Sequence, residues 1–132
     1  MILKIKIDSN IDNDFIEFLI KKIKQYILHE ADTKKLAAFD KYLIRTLDLG
    51  ISAARIVVTA TDNLKYIKTN KTYTIEIDNN VYLVNKKAKL YDMCKLINFG
   101  NLSIKGYPIF TDTFEHFKHN LNDYISMYRM AD

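Results

Sequence analysis

The stretch over residues 71–117 constrains the fold more than any other part of the chain. Within it Tyr73, Ile75 and Ile77 alternate with Thr72, Thr74, Glu76 and Asp78. Only an extended strand converts that period of two into one apolar and one polar face. Asn79-Asn80 then supplies a two-residue loop and residues 81–84 return to β-rich sequence, so the pattern predicts a β-hairpin over 71–86. Further on, Leu90, Cys94 and Ile97 recur at helical spacing, which predicts a helix over 88–98 ended by Gly100, with Lys86, Lys87 and Lys89 as a basic knot at its mouth. Residues 102–110 form an extended link to a last amphipathic helix over 112–129. There Thr111 or Asp112 is the cap, Glu115 completes a capping box, and Phe114, Phe117, Leu121, Ile125 and Tyr128 form the apolar stripe.

The upstream sequence supplies cover for that sheet. Leu3, Ile5 and Ile7 alternate with Ile2, Lys4 and Lys6, the pattern of a short edge strand with lysines on its outer face. Ile16, Ile20, Ile23 and Ile27, widened by Phe15, Leu19 and Tyr26, predict a helix over about 11–29. Its acidic residues Asp12, Asp14 and Glu17 come first and Lys21, Lys22 and Lys24 later, the order the helix dipole favours. Residues 29–33 read as a polar break. After it Leu36, Phe39, Leu43, Leu47, Ile51, Ala54 and Val58 keep steps of three or four across Gly50. The run Ile56-Val57-Val58-Thr59 argues for a strand, but the sustained period outweighs it and predicts one helix over 34–58. Asp62-Asn63 marks a turn ahead of a short strand over 64–68. Together these elements predict one α+β domain over 1–132, an antiparallel sheet built on a central hairpin and packed against two to four helices.

At 48% hydrophobic, 132 residues suffice for a core that needs neither disulfides nor metal. The lone cysteine, Cys94, lies on an apolar helix side, which excludes a disulfide framework and points to a reducing compartment. Lys4 and Lys6 interrupt the first apolar residues, and no apolar run approaches the ~20 residues of a membrane span, so the expectation is a protein with no signal peptide and no membrane association. Twenty basic residues against sixteen acidic ones give a net charge of +4, a mixed surface that permits nucleic acid without implying it.

Candidate chemistry is sparse. His116 and His119 stand one helical turn apart near Asp112 and Glu115, but without a third ligand at metal spacing they read as two solvated histidines. His29-Glu30 reads as a helix-terminal pair. Asp62, Glu76 and Asp78 with Lys86 or Lys87 have the residue types of a metal-dependent nuclease core, yet Glu76-Ile77-Asp78 stands where Glu-x-Lys is required, and an exposed hairpin face is the better reading. There is no Gly-rich phosphate loop and no Ser-His-Asp or Cys-His pattern, so no enzyme activity, cofactor or metal is expected. Lys65, Lys68, Lys71, Lys86, Lys87, Lys89 and Lys95, with Tyr66, Tyr73, Tyr82 and Tyr91, have the make-up of a nucleic-acid patch, against which interleaved acidic residues favour a plain solvated face. Leu102, Ile104 and Tyr107 are too apolar for an idle surface link, and with Lys86, Lys87 and Lys89 they are the expected contacts to partners or to further copies of the chain.

Tyr91-Asp92-Met93-Cys94-Lys95-Leu96-Ile97-Asn98-Phe99-Gly100-Asn101, then Gly106-Tyr107-Pro108-Ile109-Phe110, then an amphipathic helix, resembles the C-terminal half of tail-completion and head–tail joining (neck) proteins of long-tailed bacteriophages. In that family a Tyr-led segment runs into an aromatic-Gly-Thr element and a Pro-Phe-like step opens the last helix. Asn101 stands here in place of the Thr, and Asp62-Asn63-Leu64 stands where the family has an Asp-Thr-Gly-x-Leu turn. The resemblance implies a non-enzymatic virion subunit, a homo-oligomeric ring that contacts other neck and tail proteins around the DNA channel, found in the virion or in the host cytoplasm during assembly. The alternative expectation is a small phage or mobile-element protein that binds and inhibits a host protein or nucleic acid.

Overall fold

Strand β3 (Thr72–Asp78) lies at the centre of an antiparallel sheet because both of its edges are occupied, one by β1 (Ile2–Asp8) and the other by β2 (Leu64–Lys68). This is a computed structural model, and it describes residues 1–8, 11–34 and 36–130, so residue 35 of the expected 34–58 helix lies outside it. The register sets Ile5 opposite Ile75 and Ile7 opposite Tyr73, and on the other side Tyr66 opposite Ile75. Tyr73, Ile75 and Ile77 are fully buried with Ile5 and Ile7, as the alternation predicts. The outer face is polar, and there Glu76 lies between Lys65 (3.4 Å) and Lys4 (3.9 Å).

The predicted 71–86 hairpin is corrected. β3 forms its hairpin with β2, through a turn in which the Thr69 amide donates to the Thr72 carbonyl (2.8 Å) and the two threonine hydroxyls meet (2.9 Å). Asn79-Asn80 is no hairpin turn, because the Asn79 amide donates to the Met1 carbonyl (3.2 Å) and carries the chain on past β1. Residues beyond it make a separate two-stranded sheet, β4 (Tyr82–Val84) with β5 (Leu90–Asp92).

Helix α1 (Asn13–Thr33) runs beneath the three-stranded sheet and contacts β2, β3 and three later helices. Asp12 caps it through the Asp14 amide (2.9 Å), and it continues through the expected break at 29–33 because Ala31 is buried and extends the stripe of Ile23 and Ile27. The expected 34–58 helix is two helices, α2 (Ala37–Arg45) and α3 (Ala53–Thr61). Asp48, at φ +58°, turns the chain, while Ser52 caps α3 through the Arg55 amide (3.1 Å) and the Asp40 carboxylate accepts from the Ala53 amide (2.6 Å). Leu47 and Leu49 are buried in the loop itself, which is why the apolar period runs through it unbroken.

The expected 88–98 helix begins later, as α4 (Met93–Phe99), since Leu90–Asp92 is strand and Asp92 caps α4 through the Lys95 amide (3.2 Å). The last helix is also two, α5 (Ile109–His119) and α6 (Leu121–Met130), joined at Asn120, whose side-chain amide donates to the His116 carbonyl (2.8 Å). Neither Thr111 nor Asp112 caps α5. That work falls to Asn98 of α4, a buried side chain whose Oδ1 accepts from the amides of Phe110 (3.2 Å) and Thr111 (3.3 Å). The architecture is α+β, and no helix among the described residues is long and apolar enough to cross a membrane.

Candidate interaction surface

The tip of the β4–β5 hairpin is organised by one side chain. The Asn85 Oδ1 accepts from the amides of Lys87 and Lys89 (3.0 Å each), its backbone amide donates to the Lys89 carbonyl (3.1 Å), and its Nδ2 donates to the Leu47 carbonyl (3.1 Å). Ala88 accepts a left-handed conformation (φ +58°) to close the turn. The structure therefore places Lys86, Lys87 and Lys89 on a fixed loop between two strands and not at a helix mouth, which corrects the expectation for them. Lys86 reaches Asp48 (3.8 Å) and the Lys89 ammonium lies 5.5 Å from the Tyr91 ring centre.

Residues 81–105 carry five lysines against one acidic residue, Asp92, a net charge of +4. The whole chain carries the same +4, so everything outside this segment is balanced. The segment also displays large apolar side chains: Tyr82, Val84, Leu90 and Phe99 are each more than half exposed and Leu102 is fully so. On the sheet the pairing sets Val84 opposite Leu90 and Tyr82 opposite Asp92 on the outer face, while Leu83 and Tyr91 pack toward the core. A shallow cavity of about 280 Å³ lies between β5 and α4, lined by Leu90, Tyr91, Lys95, Leu96 and Phe99.

The link after α4 is a built loop. Gly100 (φ +68°) bridges to Lys105, and a Cβ on Gly100 or Gly106 would strike the backbone of the other, so this crossing requires glycine at both positions. Asn101 Oδ1 accepts from the amides of Ser103 (2.7 Å) and Ile104 (3.0 Å), and its Nδ2 donates to the Tyr42 hydroxyl (2.9 Å), tying the loop to α2. Of the three apolar residues expected as contacts here, Leu102 is in solvent, whereas Ile104 and Tyr107 are half-buried against the core and Tyr107 meets Phe39 edge-on.

The other candidates disperse. Asp62 and Asp78 share a polar depression of about 330 Å³ with Asn63, Lys65 and Asn80, but Glu76 is held by its own lysines on the sheet and Lys86 and Lys87 are at the hairpin tip. His116 is half-buried, stacked on Tyr26 (ring centres 4.5 Å apart) and hydrogen-bonded to the Tyr124 hydroxyl (2.9 Å), and it fastens α6 to α1. Burial pushes the hydroxyl pKa of both tyrosines up. His119 is exposed and paired with Glu115 (3.4 Å). No cluster of three or more His, Cys, Asp or Glu side chains suited to a metal occurs among the described residues. Cys94 is fully buried, and desolvation, with a smaller contribution from Asp92, pushes its thiol up to about 12. Of the lysine-and-tyrosine set, Tyr73 is buried and cannot stack on a base, and Lys68 instead covers its ring at 5.4 Å. Asn85, Val84, Leu90 and Phe99 join this surface without having been expected there, although Tyr82-Leu83-Val84 is apolar on both faces of a strand, a visible sign of one face left for something else.

No family model matches the chain, and no curated protein or solved structure matches it.

Proposed function

We propose that this chain is a non-enzymatic assembly subunit that works by protein–protein contact through the face formed by β4, β5, α4 and the 100–107 loop, in the role that the resemblance to phage tail-completion and head–tail joining proteins implies. The observation that carries the reading is the coincidence, within residues 81–105, of the entire charge excess with five exposed apolar side chains, four on β4, β5 and α4 and one on the loop after α4, with the turns at Asn85 and Asn101 held by side-chain hydrogen bonds. Exposed apolar groups ringed by one sign of charge are what a specific, electrostatically guided protein interface presents. Rigid turns lower the ordering cost of using them. In the assembled particle the partners are other neck and tail proteins and neighbouring copies of the chain. The test is quantitative mass spectrometry of purified particles: a constant copy number per particle is expected, and particles that lack the chain overturn the virion role in favour of a host-directed binder using the same face.

A further inference from the structure

We infer that the open edge of β5 receives an extended, acidic segment of a partner protein as an added antiparallel or parallel strand. The inference rests on the reading of the chain as a protein-binding subunit and names the local chemistry of what it binds.

Strands β4 and β5 form a sheet of two, so each has one edge unpaired among the described residues. The Met93 amide donates to the Val81 carbonyl (2.9 Å) and the Asn85 amide to the Lys89 carbonyl (3.1 Å), which fixes the odd-numbered residues of β4 as those facing across the ladder. Leu90 therefore turns its backbone N–H and C=O away from β4, and no described residue takes either. A donor and an acceptor side by side on a strand edge match another polypeptide backbone. A phosphodiester backbone does not match, since it offers acceptors alone and leaves the carbonyl unanswered.

The space beside the edge has the right form. The cavity between β5 and α4 is walled by Leu90 on the strand and by Leu96 and Phe99 on the helix, side chains that would cover every second residue of an incoming strand. Leu90 and Phe99 are 60% and 58% exposed and lose that exposure when the strand is in place. The charge selects the partner. Lys95 lines the cavity, Lys87 and Lys89 stand at the hairpin tip, and neither Lys87 nor Lys95 has an ion pair among the described residues. Asp92, the single acidic residue of the 81–105 segment, is already engaged in capping α4, and Asp48 is paired with Lys86. An extended segment with apolar residues facing the cavity and carboxylates toward the lysines satisfies the edge, the apolar walls and the charge together.

The test titrates isotope-labelled protein with an acetylated, alternating Glu-Val peptide of about eight residues, followed by amide chemical shifts. Expected are saturable shifts centred on Leu90, Asp92, Lys95 and Phe99, with half-saturation below ~1 mM. Leu90→Glu and Lys95→Glu, each verified as folded by its thermal transition, should each weaken binding roughly tenfold or more, and added salt should weaken it further. Methylating alternate peptide nitrogens, which removes the edge hydrogen bonds while keeping composition, should abolish it. The inference is overturned by absence of shifts at β5, by undiminished binding of the methylated peptide, by equal binding of a Lys-Val peptide, or by tighter binding of a single-stranded oligonucleotide at the same residues. Failure here while the chain is present in particles removes strand addition alone. A positive titration with particles that lack the chain removes the virion role and keeps the binding mode.

Discussion

Replacing Asn98 by Ala tests the way α4 holds α5. The Asn98 Oδ1 is the acceptor for the amides of Phe110 and Thr111, and its Nδ2 donates to the Thr111 hydroxyl (3.3 Å), all at a side chain only 2% exposed. In the alanine variant the Phe110 amide is left buried without a partner at about 1–3 kcal/mol, whereas Thr111, half-buried, can recover part of its bond from water. Adding the small cavity left by the amide, the cost is about 2–4 kcal/mol. For a chain of this size that is a fall in Tm of about 10 °C. Thermal unfolding followed by circular dichroism and urea titration with an unchanged m-value would report it. Asn101→Ala is the control, because it also removes one side-chain oxygen that accepts from two backbone amides, but at an exposed site where water substitutes, and it should cost less than about 1 kcal/mol. An Asn98→Ala protein within about 0.5 kcal/mol of the parent, or an Asn101→Ala protein that loses more, would refute the assignment of Asn98 as the buried cap.

Ile75→Asp should prevent folding, since it places a carboxylate at a fully buried position of the central strand at a cost comparable with the whole stability of a small domain, about 5–15 kcal/mol, and a cooperatively melting Ile75→Asp protein would show the sheet faces to be reversed. Because the folded-state pKa of Cys94 is raised from 9.0 to about 12, the native state holds that proton more tightly than the unfolded chain, so the contribution is complete below pH 9 and is lost as pH rises through about 12. Stability should thus fall by up to about 1.4 kcal/mol per pH unit in that window, and Cys94→Ala should show a shallower fall than the parent in alkaline urea titrations.

What was legible in the sequence follows from which forces are local. The buried faces of β1 and β3 were readable because a period of two with one apolar set has a single solution, and the lysines of β1 correctly marked it as an edge. Strand pairing was not readable. The Thr69-Asn70-Lys71 and Asn79-Asn80 segments are both polar and both suit turns, and the choice between them is made by a distant bond, from Asn79 to Met1. The helix break after Arg45 was masked because Leu47 and Leu49 are buried without being helical, so tertiary burial imitates helical period. Its signal was present in Ser52, an N-cap residue standing before Ala53, as it was in Asp92 before α4. Of the interaction surface, the lysines and Leu102 were visible as residues out of keeping with an idle link, but Ile104 and Tyr107 turn inward, and the outward pair Val84 and Leu90 depends on a strand pairing that local pattern does not specify.

Assembly through the 81–105 face is the main claim to be tested. The direct measurement is quantitative incorporation, by mass spectrometry of purified particles, of three variants that keep the parent Tm: Leu90→Glu and Leu102→Asp on that face, and Met127→Glu on the exposed side of α6. The account predicts that the first two are depleted from particles roughly tenfold or more while the third is incorporated like the parent. Equal incorporation of all three, or selective loss of Met127→Glu, would contradict it.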